Sequence, residues 1–201
     1  MLTNFTLEDE KSLRQWLQDV REGAGYVGIL DKEGWSQRHF NDTEEFLGLV
    51  DTNKLSCNLY VSMACFKSSD LSRSQDNATK LCSFWLDIDS HGGGKYDSPE
   101  DALLDACNFI RDSNLPTPSY IHHTGHGIHI VWATNQTMPP SEWLPIAQAL
   151  RDLAEGYGLD VDGELTTDAA RVLRIPYTIN FRIPSSPVVT KLLEVNKLCQ
   201  Q

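Results

Sequence analysis

The chain is short of positive charge. In its 201 residues, 17 Lys and Arg stand against 28 Asp and Glu, for a formal net charge of −11. This argues against tight, nonspecific nucleic-acid binding through overall charge, which needs clustered cations to displace counterions. There is no uninterrupted run of about 18 apolar residues, so no helical membrane span is expected. The opening MLTNFTLEDE turns acidic early and lacks a basic segment followed by an apolar one. It does not read as a secretory signal, and a cytoplasmic location is expected. The cysteines, Cys57, Cys65, Cys82, Cys107 and Cys199, form no Cys-x-x-Cys pair. Neither zinc nor a disulfide framework is therefore expected, and Cys57, Cys65 and Cys82 read as small core residues on apolar strand faces. No internal repeat, low-complexity tract or linker divides the sequence. Its length suits one domain over residues 1–201, and the weak ending KLCQQ suggests the N-terminal part of a longer chain.

The patterns that are present indicate an α+β domain around a mostly antiparallel sheet. Thr6 with Asp9 forms a capping-box signal ahead of Leu13, Trp16, Leu17 and Val20 at helical spacing. Residues 25–30 read as a strand, 42–50 as a short helix, and CNLYVSMAC as a strand with Cys57, Leu59, Val61, Met63 and Cys65 on one face. Residues 67–80 are polar and loop-like. Ser98 and Pro99 open a helix with Leu103, Ala106, Cys107 and Ile110 inward. Residues 119–133 read as two strands joined by a glycine-containing turn. Ser141 is expected to cap a further helix with Ile146, Leu150 and Leu153 inward and Gly158 as its stop. Late strands are expected at 171–176 and 187–193.

Three stretches carry chemistry. In CSFWLDIDSHG, Cys82, Phe84, Leu86 and Ile88 alternate with Ser83, Trp85, Asp87 and Asp89. A strand of this pattern sets two carboxylates on one face, roughly 6.5 to 7 Å apart. They repel unless something positive sits between them, and hard divalent cations take such oxygen ligands and share them with phosphates. The alternative is a solvated strand face with Asp89 opening a turn. In HHTGHGIHIVW, His129 and Val131 share one face, opposite Ile128, Ile130 and Trp132. Gly125 and Gly127 flank a turn where phosphate can approach without a Cβ in the way. His129 can donate to such a phosphate or be a half-buried strand histidine, whereas His122, His123 and His126 read as surface or turn residues. The stretch LDVDGELTTDAARVLRIPYTINFR supplies Asp160, Asp162 and Asp168, then Arg171, Arg174 and Arg182. Residues 169–193 carry four cations, the fourth being Lys191, and no acid.

Taken in order, these stretches resemble the archaeo-eukaryotic primase superfamily, especially the primase–polymerases of phages and mobile elements. WLDIDSH matches its acid-x-acid strand, and TGHGIHIVW its Ser-Gly…Gly-x-His motif with Thr124 in the serine place. TTDAARVLRIPYTIN resembles its third region. The resemblance covers roughly residues 72–182. It implies an N-terminal α/β unit packed on an RRM-like antiparallel sheet, with the active site in the cleft between them. It also implies template-dependent nucleotidyl transfer, making or extending primers with two Mg²⁺ or Mn²⁺ ions. Nucleoside triphosphates and single-stranded DNA template and primer would be partners, with a helicase region or partner beyond residue 201 strengthening DNA contact.

By position, Asp87, Asp89 and Asp162 would hold metal, with Asp168 the second choice for the third ligand. Asp87, Asp89, His129 and Asp162 would form the catalytic set. Thr124, Gly125, Gly127, His129, Arg171 and Arg174 would line the nucleotide site. Ser72, Arg73 and Lys80 are candidate triphosphate or template contacts from charge and place. The sequence departs from the family pattern at Tyr177, where a glycine is usual, putting a left-handed turn there in doubt, and at Arg182, where a lysine is usual. Competing readings are a rolling-circle-type nuclease, for which His126 and His129 are spaced one residue too far apart, and a non-catalytic nucleic-acid-binding module.

Overall fold

The computed structural model describes residues 5–67, 72–90 and 94–195; His91–Gly93 of the turn after the acidic strand, part of the 67–80 loop, and Cys199 lie outside the described residues. Helix α1 (Leu7–Val20) starts at the expected capping box, with Thr6 and Asp9 bonded reciprocally, and buries Leu13, Trp16, Leu17 and Val20. Strands β1 (Gly25–Asp31) and β2 (Gly34–Phe40) form a hairpin. The sequence reading lacked β2, whose largely exposed side chains give no apolar alternation. Helix α2 (Thr43–Asn53) is capped by Asp42. Strand β3 (Asn58–Ser62) and the short β4 (Cys65–Phe66) divide the single strand expected over 57–65.

Strand β5 (Ala78–Asp89) begins four residues earlier than its apolar alternation shows. Helix α3 (Pro99–Asp112) uses the Ser98 cap, and buries Ala102, Ala106, Phe109 and Ile110. Strands β6 (Tyr120–His123) and β7 (Gly127–Met138) follow, then helix α4 (Pro140–Gly156). Its cap is Pro139, not Ser141; Pro140 supplies a preset φ and has no N–H to satisfy. The inward stripe is Trp143, Ala147, Leu150 and Ala154, while Ile146 is 49% exposed. Trp143 sets that rotation, because its ring packs on Phe84 and Trp85 and its Nε1 donates to the Ser83 carbonyl at 2.8 Å. The chain ends with α5 (Gly163–Thr166), β8 (Val172–Arg174), β9 (Ile179–Asn180), β10 (Val188–Val189) and β11 (Lys191–Leu193).

Two antiparallel sheets result, in strand orders β2-β1-β3-β8 and β11-β6-β7-β5-β4, with β9 and β10 paired as a small ribbon. This α+β layout agrees with the expected architecture, with one refinement: the first sheet is completed by β8 from the C-terminal third. One hydrophobic cluster draws Val27, Leu59 and Leu173 from the first sheet together with Trp85, Ile121 and Ile130 from the second. Among the described residues no helix is long and apolar enough to cross a membrane. Cys57, Cys65 and Cys82 are buried and free, as the sequence suggested.

The turn after β8 keeps its left-handed conformation despite Tyr177, whose φ is 62°. Its N–H donates to the Thr190 carbonyl at 3.1 Å, and its ring packs against the core. Packing thus offsets the roughly 1 kcal/mol that a Cβ costs in this conformation. Tyr177→Ala discards the ring and keeps the backbone cost, whereas Tyr177→Gly discards both. The alanine variant is expected to melt about 3 °C below the glycine variant, read by circular dichroism.

Candidate active site

The site grows out of one pairing register. In the β5–β7 ladder Asp87 stands opposite His129 and Asp89 opposite Gly127, and across β6 His122 stands opposite His129. Asp87, His129 and His122 therefore share one face, as do Trp85 and Val131 one row further along, while Ile88, Ile128, Leu86 and Ile130 fill the other. Both faces are covered, since Trp85 and Leu86 are equally buried. Asp87 is thus not on a solvated strand face: it is buried, while Asp89 at the strand end is exposed. His129 Nε2 lies 3.4 Å from Asp87 Oδ1.

Gly127 is required by the register. A Cβ built there would lie 2.4 Å from the Ile88 carbonyl oxygen, a backbone atom that cannot swing aside. Gly125 has φ 99°, and a Cβ on it would press on Asn180. Thr124 is buried, and its N–H donates to the Gly127 carbonyl at 2.9 Å. Asn180 Nδ2 donates to the Thr124 carbonyl at 2.8 Å and ties the β9–β10 ribbon to this turn. His123 Nδ1 accepts from Gly125 N–H at 3.2 Å, the turn role expected of it.

Asp162 reaches the site along the edge of β5 that β4 leaves open. Its backbone N–H donates to the Asp87 carbonyl at 2.9 Å, and its carboxylate caps α5 by accepting from Leu165 N–H at 3.1 Å. Trp85 Nε1, donating to the Leu165 carbonyl at 3.0 Å, pins α5 to the same edge. Asp168 is bonded elsewhere, accepting from Gln75 Nε2 at 3.0 Å and from the Ala170 N–H. Among the described residues no group of three or more His, Cys, Asp and Glu is close enough to hold a metal ion by itself.

The cations come from the other sheet. Arg174 is buried, with Nη1 donating to Asn58 Oδ1 at 3.0 Å and Nη2 to Tyr60 Oη at 2.8 Å. Burial lowers its pKa foremost, with the Arg182 charge adding to this; the Asp87 charge acts the other way. Arg171 is half-buried and lies with Arg174 within electrostatic reach of His129. Arg73 bonds Gln37 Oε1 at 2.7 Å and the Ala170 carbonyl. Lys80 is paired with Glu22 at 2.7 Å, seven residues down β5 from Asp87, or about 23 Å along the strand, and is not brought to the cluster. Ser72 is exposed, its carbonyl accepting from Asn77.

Asn58, Tyr60 and Asn180 were missed from sequence, although the polar alternation of Asn58, Tyr60 and Ser62 on β3 was a signal for the first two. His122 is not a surface residue: it is 1% exposed, because β6 runs inside the sheet between β7 and β11. Neither of its ring nitrogens has a hydrogen-bond partner, and its ring meets that of His129 edge-on at 5.3 Å. The apolar cavity of about 390 Å³ lined by Phe84, Trp132, Ile146 and Leu153 lies further down the strands and carries none of these groups.

Burial, reinforced by Arg174 and Arg171, pushes the His129 pKa down to about 3; burial and the His129 charge push His122 well below the ordinary histidine value. Both rings are neutral at pH 7. The unfolded chain then binds more protons than the folded one from about pH 6.5 down to about 3, so stability rises with pH across that window and is lost on acidification. In EDTA, His122→Phe is expected to flatten the unfolding free energy against pH by up to about 1.4 kcal/mol per pH unit, measured by urea titration. Gly127→Ala is expected to lower stability by more than about 2 kcal/mol through the forced backbone shift, read by the same titration.

No protein-family model matches the chain. A curated Clostridium perfringens protein named "Replication protein" is 27% identical over 170 residues; the match takes in 83% of this chain, which spans 38% of that relative's length. Among solved structures, the AEP domain of the cyanophage S-2L primase-polymerase superposes with a TM-score of 0.58 at 18% identity, covering 94% of this chain and 92% of that one. The catalytic domain of primase RepB′, solved with initiator DNA, gives 0.56 at 14% identity, covering 96% and 92%. Two antiparallel sheets meeting at an acid-x-acid strand, with these superpositions over nearly the whole length, give this chain the fold of the archaeo-eukaryotic primase superfamily.

Proposed function

We propose that the chain is the catalytic domain of a primase–polymerase that makes or extends primers by template-directed nucleotidyl transfer. The observation that supports this best is the juxtaposition of Asp87 and Asp89 on β5 with His129 across the ladder and Arg174 from the facing sheet. Replication-related relatives support it at the level of the fold and the curated match.

The donor set suits a hard divalent cation. Two neighbouring carboxylates supply oxygen ligands, and Mg²⁺ characteristically takes one or two carboxylates and completes its shell with substrate phosphates and water. Asp87 and Asp89 would hold the ions, with Asp162 at the adjoining edge as the third carboxylate. When bound, Mg²⁺ or Mn²⁺ supplies charge neutralisation at the triphosphate and activates the attacking 3′ hydroxyl. The chain's own residues do the rest. His129, kept neutral, offers an N–H to a phosphate oxygen. Arg171, Arg174 and Arg182 neutralise the remaining charge, and the Thr124–Gly127 turn lets phosphate approach the backbone. Rate would come mainly from positioning and fixed charge. The net charge of −11 supports weak template binding by this region alone; a helicase region or partner would supply the remaining DNA contact.

With template, nucleotides and Mn²⁺, wild type is expected to yield product, and the Asp87→Ala/Asp89→Ala variant at least about 100-fold less. Equal product from both would end this reading. Supplying ribo- and deoxynucleotides separately, with and without primer, distinguishes initiation from extension.

A further inference from the structure

We propose that the cleft-facing side of the first sheet is a stacking platform for an unpaired base of a single-stranded DNA template, built from Trp35 and Tyr60. This rests on the reading above and deepens it. One cross-strand row runs Gln37, Gly28, Tyr60, Arg174 over β2, β1, β3 and β8. The indole of Trp35 lies over Gly28: a Cβ built on that glycine would be 2.3 Å from the indole ring. The indole meets the Tyr60 ring at 5.5 Å between centroids, tilted by 50°. Beyond it, the Arg174 guanidinium sits 4.7 Å from the Tyr60 ring centre.

A tryptophan that only filled the space above a glycine would be enclosed. Trp35 is instead 44% exposed, with β1 beneath it. Base stacking on aromatic side chains, beside cations that follow the backbone, is how single strands are held without sequence readout. The cations are in place. Arg174 stacks on Tyr60, Arg182 is exposed and acts on Arg174, and Arg73 is bonded to Gln37 at the other end of the row. Since Arg174 also acts on Asp87 and His129, the platform is continuous with the candidate catalytic groups. A template base stacked on Trp35 would put its backbone beside the arginines, in a molecule whose overall charge repels DNA.

The test is fluorescence anisotropy with a labelled oligo(dT) and an abasic oligomer of equal length, in EDTA and low salt, so that no catalysis is involved. Wild type is expected to prefer the base-bearing strand. Trp35→Ala is expected to weaken oligo(dT) binding about 5- to 100-fold and leave abasic binding unchanged. Trp35→Phe is expected to restore most of the preference, and Gly28→Ala, which lifts the indole without removing it, to reduce it. Circular dichroism checks that each variant is folded; if Trp35→Ala is not, Trp35→Phe and Gly28→Ala carry the comparison. Equal or absent binding of the two oligomers by wild type, or equal loss for both in Trp35→Ala, overturns the platform. So does weakened binding of free nucleoside triphosphate with oligo(dT) affinity unchanged. A protein that makes no product yet shows the Trp35-dependent preference would retain the platform while the polymerase reading fails.

Discussion

The register of β5 against β7 is the constraint on which the site depends. With Gly127 opposite Asp89, the strands approach closely enough that any Cβ would strike the Ile88 carbonyl, and Asp87 faces His129. A slip of β5 by one residue against β7 would turn Asp87 into the apolar layer and set Ile88 beside His129. The core enforces the choice, because Ile88, Ile128, Leu86 and Ile130 have no solvent-accessible surface. Apolar burial on one face of the ladder therefore fixes the position of polar groups on the other.

Placing charge at a seam between two sheets raises a difficulty, since acids on one side and arginines on the other attract across low-dielectric space. Asn58 and Tyr60 address it from β3. They hold the terminal nitrogens of Arg174, and Asn58 Oδ1 also accepts the Phe181 N–H at 2.9 Å, so the guanidinium is oriented by one strand and, through Asn58, tied to a loop. Side chains held in this way lose little further freedom when substrate arrives, which is the physical content of preorganisation.

Much of this was legible in the sequence, and the remainder was hidden for identifiable reasons. Period-two alternation located Asp87, Asp89 and His129 and assigned the faces of the His129 strand correctly. It could not show that the acidic face is buried, because strand pattern reports the strand and not what packs above it. Thr6 and Ser98 announced their helices through local cap chemistry. Ser141 misled because Pro139 and Pro140 made a competing start, and Ile146 because Trp143 turned α4. Lys80 looked suitable by charge and proximity in sequence, but seven residues of extended strand carry it away from Asp87. The β2 strand, with Trp35 on it, gave no signal because its side chains are largely exposed and show no apolar alternation.

Tyr177 shows the same logic at the backbone. A glycine there would reach φ 62° without strain, and the tyrosine makes the turn only because Thr190 accepts its N–H and the core receives its ring. The turn matters because β9 follows directly, and β9 carries Asn180, whose amide holds the Thr124 carbonyl. A residue whose own preference opposes its conformation thus lies on the physical path from the arginine strand to the glycine turn. The glycine turn on one sheet and the cations on the other are joined by a continuous covalent and hydrogen-bonded connection, so the two sides form a single preformed unit rather than two surfaces that happen to face each other.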